Sequence, residues 1–271
     1  MPLVFNGGGW NRGFVPQLRY VVSNSIFDGR IFTAERFGVF PEKDQSLVLT
    51  GIGPGSPVFL QNVTASVRAY AMLPTAAAGV YPRWGVGAEM GGGFRPSLTH
   101  IYDPAVYGYL YGYAPGLVPE HGLKLTALAQ RIWTKDAFIA EQRVTTYPRG
   151  YAASGSTLGR YLADHHPTQM KWTADYLMAI LPLDWSGLGP VAYVKNFELG
   201  LHADAAFFFP GSLMSAGASL SVRLGNLLWV PFDTRIGATW SCNFGPSYDA
   251  FRADGLPLRR HYVGFLFSID Y

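Results

Sequence analysis

His202 and Asp204 lie two residues apart in the run His202-Ala203-Asp204-Ala205-Ala206, and on an extended chain both point to one face. With a serine from elsewhere they would supply the base and orienting acid of a hydrolytic relay. No G-x-S-x-G elbow accompanies them, so the pair lacks a nucleophile motif. His165 and His166 are metal-ligand types, but neighbours on extended chain diverge and no third ligand is near in sequence, which favours a solvated loop over a zinc site. Gly91-Gly92-Gly93 ends a strand-like segment without opening a helix, so it lacks the context of a phosphate-binding loop. Cys242 is the one cysteine, which excludes an internal disulfide and a cysteine-based metal cluster. The chain is therefore expected to hold no metal and no cofactor, and not to be an enzyme.

The elements that carry these residues are strands. Hydrophobic residues make up 49% of the 271 positions, but no run of about 18 apolar residues free of charge occurs, which excludes a transmembrane helix. Aromatics at 15%, charged residues at only 14% and 32 glycines suit many short strands with aromatic girdles. A soluble β-sandwich shares the glycine-rich turns but normally carries more surface charge. A net charge of +3 without a Lys/Arg run gives no reason to expect nucleic acid. The first residues, Met1 to Trp10, lack the charged and apolar regions of a secretory signal, so an exported protein of this kind is expected to have its beginning elsewhere.

Period-two alternation recurs along the chain. Strands are expected at Phe14 to Ile26, Arg30 to Val39, Gln45 to Thr50, Val58 to Leu73, Val80 to Gly91, Val106 to Tyr113 and Gly122 to Trp133. After a long connection at about 134–167 they resume at Met170 to Ile180, Val191 to Phe207, Met214 to Leu224, Leu228 to Phe244 and His261 to Tyr271. One face of these segments is apolar, and the other carries Arg, Lys, Glu, Asp, Ser, Asn and Gly. Alternation alone does not say which face points out. The charges that share the polar face with small residues, and the aromatic final strand, favour an apolar exterior. In the ladder Tyr107, Tyr109, Tyr111, Tyr113 the outward face stays open.

The half from about Gly122 to Tyr271 resembles the membrane barrel of the BamA-like surface-antigen superfamily of outer-membrane assembly and translocation proteins. Those barrels carry a long loop with a (V/I)-R-G-(F/Y) motif followed by five strands. Here Pro148-Arg149-Gly150-Tyr151 precedes five strand-like segments, with proline in place of the apolar residue. The resemblance implies that Arg149, with Gly150 and Tyr151, braces the lumen against acidic residues of the wall. One of these is Asp204, at the Asp of an F-x-D-x-G motif whose Phe and Gly are absent here; the other is Asp175 on the preceding strand. Gly264, Phe267, Ile269 and Tyr271 resemble the C-terminal strand signal shared by outer-membrane barrels.

The expected fold is thus all-β, an antiparallel transmembrane β-barrel forming a single domain over 1–271. About 12 strands are read, which the resemblance makes the C-terminal part of a 16-stranded barrel. The expected location is the outer membrane of a Gram-negative bacterium, with outer-membrane lipid, unfolded or translocating polypeptide and periplasmic accessory proteins as partners, and no nucleic acid. The expected function is insertion or translocation of polypeptides; the competing class is a passive porin-like channel or membrane-anchoring barrel.

Overall fold

A computed structural model describes residues 3–25, 58–74, 81–96, 101–118, 120–133, 146–186, 189, 191–229 and 233–270. They form one antiparallel sheet of eleven strands in sequence order. These are β1 (Leu3–Gly7), β2 (Trp10–Ser25), β3 (Val58–Met72), β4 (Gly85–Pro96), β5 (Ile101–Pro115), β6 (Gly122–Ile132), β7 (Thr168–Trp185), β8 (Tyr193–Phe208), β9 (Gly211–Gly225), β10 (Asp233–Phe244) and β11 (His261–Asp270). Each strand pairs with the next, so every connection is local, as in a meander. The sheet is open: among the described residues β1 and β11 are its edges.

The short β1 was not expected from the sequence, since Leu3-Val-Phe-Asn-Gly7 is too brief to show a period. The segments at 30–39 and 45–50 lie outside the described residues, as does Tyr271. The glycine triplet does not end its strand but runs inside β4, where β3 and β5 both pair with it. The last expected internal strand begins later, at Asp233, after a 3-10 turn at Leu227–Trp229 in which Leu228 has a φ of 52°.

The two faces have an inverted distribution of burial. On β8, Asn196, Glu198, His202 and Asp204 are buried, while Leu201 and Phe207 between and beyond them are exposed. The same apolar face holds Leu18, Met90, Val263 and Phe265, each more than 70% exposed. Burial of a charged group is costly and exposure of a large apolar one wasteful in water, so this pattern opposes the usual soluble arrangement. The tyrosines of β5 belong to the polar face: Tyr111 is buried, whereas Val106 and Leu110 are exposed. A ring this large needs a small partner across the ladder. Gly87 supplies it, and a Cβ there would collide with the Tyr111 ring. Tyr111 in turn accepts hydrogen bonds from Arg68 Nε and Nη2 at 3.1 and 3.0 Å.

The main buried apolar cluster sits at one end of the sheet rather than between two layers. Tyr151, Leu158, Leu162, Phe208, Leu213, Tyr248, Phe251, Leu256 and Leu258 come from the β6–β7, β8–β9 and β10–β11 connections and the strand ends beside them. The first of these connections, expected as an irregular loop, folds into a 3-10 turn at Arg149–Ser154 and helix α1 at Gly155–His165. Leu158, Tyr161, Leu162 and His165 recur at i, i+3, i+4 and i+7, which places them on one helix face. The β10–β11 connection adds the short helix α2 at Tyr248–Ala253, whose Phe251 stacks on Phe208 at 5.3 Å.

Because Leu162 is wholly buried in this cluster, Leu162→Ala is expected to lower stability by about 2–5 kcal/mol. Chemical unfolding of the full chain measures this, and an unchanged midpoint would show that the cluster is not a packed core.

Candidate functional site

Arg149 opens the 3-10 turn, directly after Pro148, whose extended backbone (φ −63°, ψ 147°) turns the chain onto the polar face of the sheet. Its guanidinium meets two carboxylates on neighbouring strands. Nε and Nη2 donate to Asp204 of β8, at 2.8 Å to Oδ2 and 2.8 Å to Oδ1. Nη1 lies 2.6 Å from Asp175 Oδ1 of β7. The Arg149 backbone N–H adds a further bond to Asp204 Oδ2 at 2.9 Å. This fork-to-carboxylate geometry suits arginine and cannot be reproduced by lysine. The Asp204 side chain is fully enclosed, while Arg149 retains 38% exposure. Burial works against the guanidinium's charge, but hydrogen bonds to Asp204 and then Asp175 outweigh it and raise its pKa.

Gly150 follows the arginine because no side chain fits. A Cβ there would overlap Asn243 Oδ1 and stand 3.0 Å from Ser215 Cβ. Its carbonyl accepts from Asn243 Nδ2 at 2.7 Å, and the same amide nitrogen donates to Arg259 O at 2.8 Å. Tyr151 then enters the apolar cluster, with its hydroxyl donating to Phe244 O at 3.1 Å. Burial pushes the Tyr151 hydroxyl pKa up, so it remains a protonated donor. Ser154 Oγ closes the turn onto Pro257 O at 2.7 Å. Three consecutive residues thus bond to β7, β8, β9 and β10, and Ser154 adds the β10–β11 connection.

Arg149, Gly150, Tyr151, Asp204 and Asp175 therefore converge. Ser215 and Asn243 join them, and sequence reasoning missed both: each appeared only as one more polar residue in an alternating strand. The C-terminal positions are elsewhere. Gly264, Phe267 and Ile269 lie on β11, paired with Thr239, Ile236 and Thr234 of β10.

His202 and Asp204 do not combine into a relay. Asp204 accepts from Arg149, whereas His202 Nε2 lies 2.9 Å from Ser241 Oγ, with both side chains buried, and stands opposite Asp175 in the β7–β8 register. His165 stacks on Tyr161 at 4.3 Å, and His166 Nδ1 approaches Phe209 O at 3.0 Å, so the two diverge into separate packing roles. No group of three metal-ligating side chains occurs among the described residues. A second ionic group lies further along the polar face. Asp233 joins Lys195 and Arg223, each at 2.7 Å, and Arg235 Nε reaches Glu198 at 3.0 Å.

Arg149→Ala is expected to cost about 2–3 kcal/mol, less than the about 3–5 kcal/mol of a fully buried pair because water reaches the guanidinium. Arg149→Lys should recover little. Combining Arg149→Ala with Asp204→Ala should cost clearly less than the sum of the two single changes, as read from unfolding midpoints; strict additivity would rule out the coupling. Comparison of the chain with protein families, curated proteins and solved structures finds no match in any of the three.

Proposed function

We propose that this chain is an integral membrane β-barrel of the outer-membrane type, with its polar face turned inward, and that it assists the insertion or translocation of polypeptides. The observation that carries the membrane reading is the inverted burial: charged and amide side chains are wholly or partly buried on one face of β6 to β10, while the opposite face of the sheet exposes leucine, valine, phenylalanine and tryptophan. Only hydrocarbon makes that distribution favourable. Strand length agrees with it. Ten residue steps of β8, from Phe197 to Phe207, cover about 34 Å along the strand and about 25 Å of depth at a tilt near 40–45°. That is the height of an outer-membrane apolar band.

Aromatic residues mark both ends of the apolar face. Trp84 and Trp185 are exposed beside the β3–β4 and β7–β8 connections; Trp133 and Phe209 are exposed at the opposite end, where Arg131 stacks over Trp133 at 5.2 Å. Such side chains favour the headgroup level. The polypeptide-handling role is supported by the seating of the Arg149-Gly150-Tyr151 turn on Asp204 and Asp175, the arrangement that the resemblance to BamA-like barrels implies. A passive channel fits less well, because the turn, α1 and α2 pack together over one end of the polar face.

The full chain is expected to require detergent or lipid for folding and to migrate faster on a gel before heating than after. Phe265→Arg, in the middle of the apolar face of β11, should cost about 2–4 kcal/mol of membrane folding. A monomer that stays folded and soluble without detergent would overturn the membrane reading. For the activity, phosphatidylcholine vesicles containing the chain should speed the folding of a second outer-membrane barrel several-fold over protein-free vesicles. Equal rates in the two vesicle preparations would remove the insertion role and leave the membrane barrel standing.

A further inference from the structure

Neighbouring strands alternate in direction, so β1 and β11, both odd in order, run the same way, and neither can complete an antiparallel barrel by pairing with the other. The strand antiparallel to β11 near the opposite edge is β2. β1 pairs only with Trp10 to Phe14 of β2. From Val15 to Ser25 no strand pairs with that edge among the described residues, and β11, ten residues long, is nearly the same length.

The register fixes how the two would meet. Following hydrogen-bonding partners strand by strand from Asn11 on β2, through Lys124 on β6 and His202 on β8, the line arrives at Tyr262 on β11. Asn11 is near the β1–β2 turn, and Tyr262 is near the β10–β11 connection at the other end of the sheet. The line has climbed a full strand length, which is the stagger a closed barrel requires. Tyr262 must therefore meet the far end of β2. Polar face must also meet polar face, which restricts Tyr262 to odd-numbered positions of β2: Val21, Ser23 or Ser25.

The pairing with Val21 sets Asp270 against Gly13, a position already paired with Val4 of β1. The pairing with Ser25 leaves two residues of the edge uncovered. With Ser23, Asp270 falls on Val15, immediately beside Phe14, where Leu3 of β1 begins.

Building on the barrel reading above, we propose that the chain closes on itself through a β2·β11 seam, with Tyr262 opposite Ser23. β11 and β1 lie end to end in one strand position along β2, running in the same direction. The odd strand count is thereby reconciled with an all-antiparallel barrel of ten strand positions. The stagger is about twelve residues, which gives a strand tilt of about 40° and a backbone diameter of about 20 Å. Leu18 and Phe267, both exposed on the apolar face of the open sheet, then become neighbours across the seam, and Arg19 stands opposite Leu266 on the polar face. This seam is the edge that an inserting strand would have to open.

Paired cysteines test the seam in the full chain carrying Cys242→Ser. Directly opposed residues place their Cα atoms about 4.5–5.5 Å apart, within disulfide range, whereas a two-residue offset places them beyond it. After mild oxidation in detergent, Arg19→Cys with Leu266→Cys should form an intramolecular disulfide at least tenfold more completely than Gln17→Cys or Val21→Cys with Leu266→Cys. Preferred bridging at residue 17 or 21 would overturn the register. Bridging only between molecules would overturn closure within one chain. Absence of bridging in all three pairs, in protein whose unheated gel band shows it folded, would overturn the seam but not the membrane barrel. Failure of the parent protein to give that band would remove both.

Discussion

The Asp204 side chain is fully enclosed, and the Arg149 fork takes the place of solvent around its charge. An isolated carboxylate at this depth would be strongly unfavourable. It is held by two guanidinium nitrogens and by the arginine's own backbone N–H, so the side chain and the main chain of Arg149 are oriented by one partner. That double hold fixes the entry angle of the chain. Gly150 can then approach Asn243 and Ser215 without a side chain, and Tyr151 is delivered into the apolar cluster where α1 and α2 dock. The turn and helices depend on the ion pair for position and on Leu158, Leu162 and Phe251 for cohesion.

The remaining charges of the polar face follow a similar rule. Glu198 is fully enclosed on β8 and lies against Arg235 and Arg223 of the next two strands, while Asp233 is shared by Arg223 and Lys195. Arg68, on the opposite flank, leans on the rings of Tyr70 and Tyr111 at 5.5 and 5.7 Å. The sheet therefore has two differently furnished flanks. β7 to β10 carry the ion pairs and seat the Arg149 turn; β3 and β5 carry tyrosines, with the glycines of β4 between them. The asymmetry explains why the Arg149 turn seats on one flank: carboxylates that need a cation stand there, whereas on the tyrosine flank Glu89 is already bonded to the Tyr107 hydroxyl at 2.9 Å.

Much of the strand content could be read from the sequence because a one-sided environment forces a period of two, and β3 and β6 through β9 show it plainly. β1 was too short to show any period. α1 escaped notice for a different reason: Gly155, Ser156 and Gly159 suggest an irregular loop, while the helical signal rests on Leu158, Tyr161, Leu162 and His165 alone. The tyrosine ladder was ambiguous because its alternate positions, Val106, Gly108, Leu110 and Gly112, are no more polar than the tyrosines. Only the hydroxyl partners and the opposing glycines on β4 decide its face. At the site, Arg149, Asp204 and Asp175 could be singled out through a resemblance to a family pattern, but Ser215 and Asn243 could not. Their importance comes from standing next to Gly150 across strand pairs, a relation that no spacing along the chain encodes.

The same kind of relation governs the strand count. Counting alternating segments gives a number near twelve and invites comparison with a sixteen-stranded barrel, but a count carries no information about stagger. Register does. Each pairing moves the partner line a fixed distance along the sheet, and by β11 the accumulated climb nearly equals the length of β2. In a wider barrel β11 and the free edge of β2 would each need a different partner. The closure proposed above would satisfy the backbone of both strands at once, the dominant requirement if the sheet stands in hydrocarbon. At the diameter of about 20 Å that this closure would give, long polar side chains would fill much of the interior, and the turn anchored by Arg149 would be enough to cover one end.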